Sequence, residues 1–125
     1  MTDESKSLRD ARILVVEDDY YLATDLQDAL EAAGARVIGP FSDEADAKSA
    51  LDHAKPDCAF IDVNLGAGPS FAVPRALAEH AVPFVFVTGY DGGTIPREFA
   101  HVGRFEKPVE ARKIVDIAVR LLRRA

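Results

Sequence analysis

The sequence predicts a single α/β domain built on one doubly wound, five-stranded parallel sheet. Three observations carry this. The chain has 125 residues, 48% hydrophobic and 29% charged, which suits one compact domain whose core needs no cross-links. Five short apolar runs punctuate it, at 13–16, 37–38, 59–61, 84–87 and, more weakly, 102–105. Segments of helical period separate them, and the central runs are apolar on successive residues, as strands covered on both faces are.

Residues 1–10 are polar and rich in charge and serine and read as a flexible tail, with the folded domain over 11–125. The first helix is expected over about 19–33, where Leu22, Leu26, Ala29, Leu30 and Ala33 form one stripe and Gly34 follows as the terminating residue. The second is expected over about 43–54, with Ser42 as cap, acids in the first turn and Pro56 beyond its end. The third begins near Ser70, with Pro74 tolerated within its first turn. A fourth is weakly supported, because Asp91-Gly92-Gly93 and Pro96 interrupt its segment. The last is expected over about 109–124, with Ile114, Ile117, Ala118, Leu121 and Leu122 on one face. Strict alternation of strand and helix implies a parallel sheet with right-handed crossovers.

Composition narrows the function classes. The formal net charge is −6, which opposes binding to nucleic-acid backbones and anionic lipid. No apolar stretch approaches the ~20 residues of a membrane span, and the polar start is not a signal peptide. A cytoplasmic protein is expected. The single cysteine, Cys58, lies in an apolar run and reads as a small buried hydrophobe.

Parallel sheets of this kind bind ligands at the carboxyl ends of their strands. The first expected strand ends in Glu17-Asp18-Asp19, the third in Asp62 with Asn64 two residues on, the fourth in Thr88-Gly89 and the fifth near Lys107-Pro108. Taken singly, each has a plainer role: Asp18 or Asp19 as a helix cap, Asn64 in a turn, Thr88 as a strand residue, Lys107 as a solvated charge. Taken together, unrelated caps need not fall at the ends of four strands on one rim. Glu17, Asp18, Asp62 and Lys107 carry a formal charge of −2, and like charges so close raise one another's pKa unless something neutralises them. A divalent cation does so, and an all-oxygen donor set suits Mg²⁺. A carboxylate can act as a nucleophile. Phosphoryl transfer asks the protein mainly for positioning, positive charge and hydrogen bonds, which Lys107 and the Thr88 hydroxyl can supply to an acceptor at Asp62.

These residues, in this order, resemble the receiver domains of two-component response regulators over about 11–124. Ile13-Leu14-Val15-Val16-Glu17-Asp18-Asp19 is similar to the receiver opening, with the acidic pair on Glu17 and Asp18, and 44 residues separate Asp18 from Asp62. The resemblance implies a flavodoxin-like (βα)5 fold. It implies phosphorylation of Asp62 by a phosphohistidine on a sensor histidine kinase or histidine phosphotransfer protein. Mg²⁺ would be held by Asp18 and Asp62, by the backbone carbonyl of Asn64, and by Glu17 through water. Thr88 would be the switch hydroxyl and Lys107 the lysine of the site. Such a protein catalyses only its own phosphorylation and dephosphorylation. Pro83-Phe84-Val85-Phe86-Val87-Thr88-Gly89-Tyr90 further resembles a single-domain subgroup with a Pro-Phe-x-Phe-x-Thr-Gly-Tyr signature. With no room for an output domain in 125 residues, output is expected by protein contact or phosphate relay to a target the sequence does not name.

One position departs from the pattern. Most receivers hold an aromatic switch residue three positions before the lysine, and here it is Arg104. Burying an unpaired guanidinium costs several kcal/mol, so Arg104 is expected at the surface. Tyr90, preceded by Gly89 and followed by Asp91-Gly92-Gly93, is the candidate replacement for the aromatic gate; its alternative role is to cover the site. Arg104 also leaves open a receiver-like binding module that needs no phosphate. A hydrolase with an Asp-x-Asp motif is disfavoured by Asn64, and no Gly-x-Gly-x-x-Gly follows the first strand.

Overall fold

The computed structural model describes residues 7–62, 71–88 and 95–124, apart from the side chains of Thr88 and Arg124. Its elements in chain order are β1 (Arg12–Val16), α1 (Tyr20–Ala32), β2 (Arg36–Phe41), α2 (Glu44–Leu51), β3 (Cys58–Ile61), α3 (Ala72–Glu79), β4 (Phe84–Thr88), β5 (Arg104–Glu106) and α4 (Ala111–Arg124). The five strands form one parallel sheet in the order β2-β1-β3-β4-β5, the doubly wound flavodoxin-like order.

Successive strand residues point to opposite faces, and both faces are covered. Ile13, Val15, Phe60, Val85 and Val87 meet Leu22, Leu26 and Leu30 of α1 and Ile114, Ile117 and Leu121 of α4. Leu14, Val16, Ala59, Ile61, Phe84 and Phe86 meet Ala47 of α2 and Val73 and Leu77 of α3. That explains the unbroken apolar runs. Cys58 is fully buried on the first face, and burial, then the neighbouring Asp57 charge, push its thiol up to about 12. It packs as a hydrophobe.

α1 keeps its expected bounds closely. Asp19 caps it, accepting from the N–H groups of Tyr21 (3.0 Å) and Leu22 (3.2 Å). Gly34 closes it at φ 100°, where a side chain would be strained. Other ends differ from expectation. The cap of α2 is Asp43, not Ser42; its carboxylate accepts from the Asp46 N–H at 2.8 Å. The same helix stops at Leu51, short of Pro56. β5 starts at Arg104 and takes in Glu106. Between β4 and β5 the described residues hold only a 3₁₀ turn, Arg97–Phe99, where a fourth α-helix was weakly expected. The stretch expected as a loose tail already contributes packing: Leu8 is buried and its N–H donates to the Ala33 carbonyl at 2.8 Å.

β2 carries a feature the apolar pattern does not show. Its register against β1 shifts between Leu14 and Val16, which marks a bulge. Gly39 sits there at φ 102°, where a Cβ would lie 2.7 Å from the Phe41 nitrogen and 2.9 Å from the Val15 carbonyl. The shift brings the Phe41 carbonyl to the Glu17 N–H at 2.9 Å, which fixes the residue leading out of β1.

Candidate functional site

The central strands deliver acids to one rim. Glu17 follows β1 directly, and Asp62 follows β3, its N–H donating to the Val16 carbonyl at 2.8 Å. Both are buried, at 2% and 3% exposure, in an otherwise apolar core; Asp18 is exposed beside them. One carboxylate oxygen from each of Glu17, Asp18 and Asp62 lies within 4.8 Å of the others.

Lys107, just past β5, reaches into this group. Its Nζ lies 3.1 Å from Glu17 Oε2 and 3.2 Å from Asp62 Oδ2, with the side chain 23% exposed. Burial lowers the ammonium's pKa, but the hydrogen bond and charge of Glu17 and the charge of Asp62 outweigh this and leave it above its ordinary value. The lysine is a fixed positive charge. Glu17 Oε2 also accepts from the Asp19 N–H at 2.9 Å. Burial nevertheless pushes the Glu17 carboxyl up to about 8, and the neighbouring Asp62 carboxylate adds to the rise.

The donor set fits a hard divalent cation. The three acids offer only oxygens, which suits Mg²⁺. Among the described residues Glu17 Oε1 is buried without a hydrogen-bond partner, and such an atom is costly unless another species meets it. With all three acids ionised, one lysine leaves the rim a formal charge of −2, and a bound cation would favour that ionised state.

The other residues singled out in the sequence stand differently. Thr88 ends β4, paired in register with Glu106, and its side chain lies outside the described residues. Asn64 and Tyr90 also lie outside them. Arg104 is exposed on β5, opposite Phe86 of β4, and forms no ion pair among the described residues. Phe105 turns the other way and packs against the α1–α4 core. Sequence reasoning missed the part of Gly39 in placing Glu17. Glycine and proline side by side within a strand run are a bulge signal that could have found it.

The sheet is doubly wound, and three clustered acids and a lysine meet at its carboxyl rim, the arrangement expected of a receiver domain. The family description "response regulator receiver domain" matches residues 13–118, and the chain belongs to that family of two-component signalling. The structure superposes on the solution structure of SdrG from Sphingomonas melonis Fr1 with a TM-score of 0.80 at 32% identity, covering 90% of this chain and 97% of that one. Against the BeF3-activated conformation of SdrG from Pseudomonas melonis Fr1 the TM-score is 0.72 at 33% identity, with 89% and 95% covered. Phyllosphere-induced regulator PhyR of Methylorubrum extorquens is 35% identical over 81 residues, 62% of this chain and 30% of that protein. An uncharacterized response regulatory protein of Yersinia pestis is 26% identical over 115 residues, 90% of this chain and 48% of that protein. The chain thus spans less than half the length of these two curated relatives. No helix among the described residues is long and apolar enough to cross a membrane.

Proposed function

We propose that this domain is a phosphorylation-dependent switch that accepts a phosphoryl group on Asp62 from a phosphohistidine donor. The observation that carries the reading is Asp62 itself: a buried carboxylate held between a cationic Nζ at 3.2 Å and the oxygens of two further acids. An Asp62 oxygen attacks phosphorus as the bond to the donor's imidazole nitrogen breaks, and the imidazole leaves with the bonding pair. Lys107, with its Nζ beside Asp62, opposes the negative charge on the oxygens of the transferring phosphoryl group. The Thr88 hydroxyl is assigned a phosphoryl oxygen by the family resemblance. Glu17, Asp18, Asp62 and the Asn64 carbonyl would hold Mg²⁺, which supplies positive charge beside the transferring group when bound.

The donor is a sensor histidine kinase or a histidine phosphotransfer protein, the partners of the family. Output would pass by protein contact or by relay of the phosphoryl group. The run from Pro83 to Tyr90 supports the subgroup with the Pro-Phe-x-Phe-x-Thr-Gly-Tyr signature, and Tyr90 with its loop remains the proposed gate. A second reading, a binding module indifferent to phosphate, is favoured by the exposed Arg104 at the usual switch position. Incubation with Mg²⁺ and a small phosphodonor separates the readings. A switch gains one labile phosphate per chain and loses the reaction in EDTA or as Asp18→Ala. Many turnovers would mean a hydrolase, and no labelling would mean the phosphate-indifferent module.

A further inference from the structure

Four phenylalanines pack together on the α2–α3 side of the sheet. Phe71 stacks on Phe99, with ring centroids 5.9 Å apart and planes at 22°. Both meet Phe86 edge to face, at 6.4 Å and 5.9 Å. Phe84 meets Phe86 at 5.6 Å and Phe99 at 5.9 Å. Phe86 and Phe99 are buried, and Phe71 is half-buried.

The places of these rings in the chain give the cluster its meaning. Phe71 comes nine residues after Asp62, at the foot of α3. Phe99 comes eleven residues after Thr88, in the 3₁₀ turn. Phe86 lies in β4 opposite Ile61, the residue before Asp62. The stack therefore joins the start of α3 to the 3₁₀ turn, and both to the strand paired with the one that leads to Asp62. Phe71 occupies the cap position of α3 and makes no side-chain cap hydrogen bond; among the described residues, ring packing holds the residue that leads into the helix. Alongside, Arg75 of α3 pairs with Glu98 of the turn at 2.7 Å. That pair is half-exposed and worth little by itself; the rings carry the contact.

We propose that Phe71 and Phe99 form a clasp that transmits the phosphorylated state of Asp62 to the 3₁₀ turn and the β5 edge. Packed aromatic faces do not deform continuously, so a shift of α3's first turn must be followed by Phe99 or must part the stack. This rests on Asp62 being the phosphoacceptor.

The test is NMR of the full chain with Mg²⁺ and beryllofluoride as phosphate mimic, with ¹⁹F signals reporting occupancy. Wild type binds the mimic and shifts the amides of 97–106. Phe71→Leu and Phe99→Leu bind it with unchanged affinity but lose most of those shifts, and the double variant loses no more than the worse single one. Phe84→Leu, at a ring that pairs with Phe99 and Phe86 outside the Phe71–Phe99 stack, keeps them. Hydrogen exchange on wild type needs no variant: on mimic binding, protection at 71–75 and 97–99 changes together. Full shifts in both single variants, equal loss in Phe84→Leu, or independent exchange at the two segments would overturn the clasp. If wild type binds no mimic, the phosphoacceptor reading fails first and the clasp falls with it.

Discussion

The middle of the sheet and its β5 edge are built by different means. β1 and β3 are buried at nearly every position, with neighbours on both faces and on both sides in the sheet. β5 has three residues, one paired strand and a half-exposed surface, and the described residues between β4 and β5 hold a 3₁₀ turn. Both regions send a residue to the same rim. The middle supplies short, rigid acids fixed by backbone bonds; the edge supplies a long lysine that crosses over to meet them. Under the proposed function the difference is a division of labour: the residues that would hold an acceptor still sit where packing is dense, and those that would respond sit where it is thin.

That contrast can be broken by mutation. Phe60→Ala in β3 should cost about 3–5 kcal/mol, because a fully buried ring leaves a cavity; denaturant unfolding reads it. Gly39→Ala should cost about 1–3 kcal/mol from the backbone angle alone and should also weaken Mg²⁺ binding, since the bulge holds the Glu17 N–H. Asp43→Ala should cost about 1 kcal/mol as a lost cap. Arg104→Ala should change stability by no more than about 0.5 kcal/mol. An edge variant as damaging as Phe60→Ala would remove the distinction between the regions.

The pH dependence sharpens it within the rim. Unfolded, Glu17 loses its proton near 4.5; folded, it keeps it to about 8. Between those values the folded state binds more protons, so the metal-free protein should lose stability as pH rises through that window. Glu17→Gln should flatten the slope. An unchanged slope in the variant would assign the effect elsewhere.

How much could be read from the sequence follows the same line. The central strands were legible because two-sided burial leaves unbroken apolar runs. α1 was legible at both ends because Asp19 and Gly34 are the residues its termini require. The rim was legible because it lies where those runs stop. The α2 cap was not, since Ser42 and Asp43 are adjacent acceptors and only backbone angles choose between them. The start of β5 was missed because an edge strand with Arg104 and Glu106 has no apolar period. The Gly39 bulge and the Phe71–Phe99 stack depend on tertiary approach, which periodicity does not record.

The most direct measurement concerns Asp62. The domain should be labelled by a phosphodonor in Mg²⁺, digested, and read by mass spectrometry beside Asp62→Asn. The account predicts one hydroxylamine-labile phosphate on the peptide that contains Asp62, and none on the variant. Undiminished labelling of Asp62→Asn, or a phosphate located on another residue of the wild type, would contradict it.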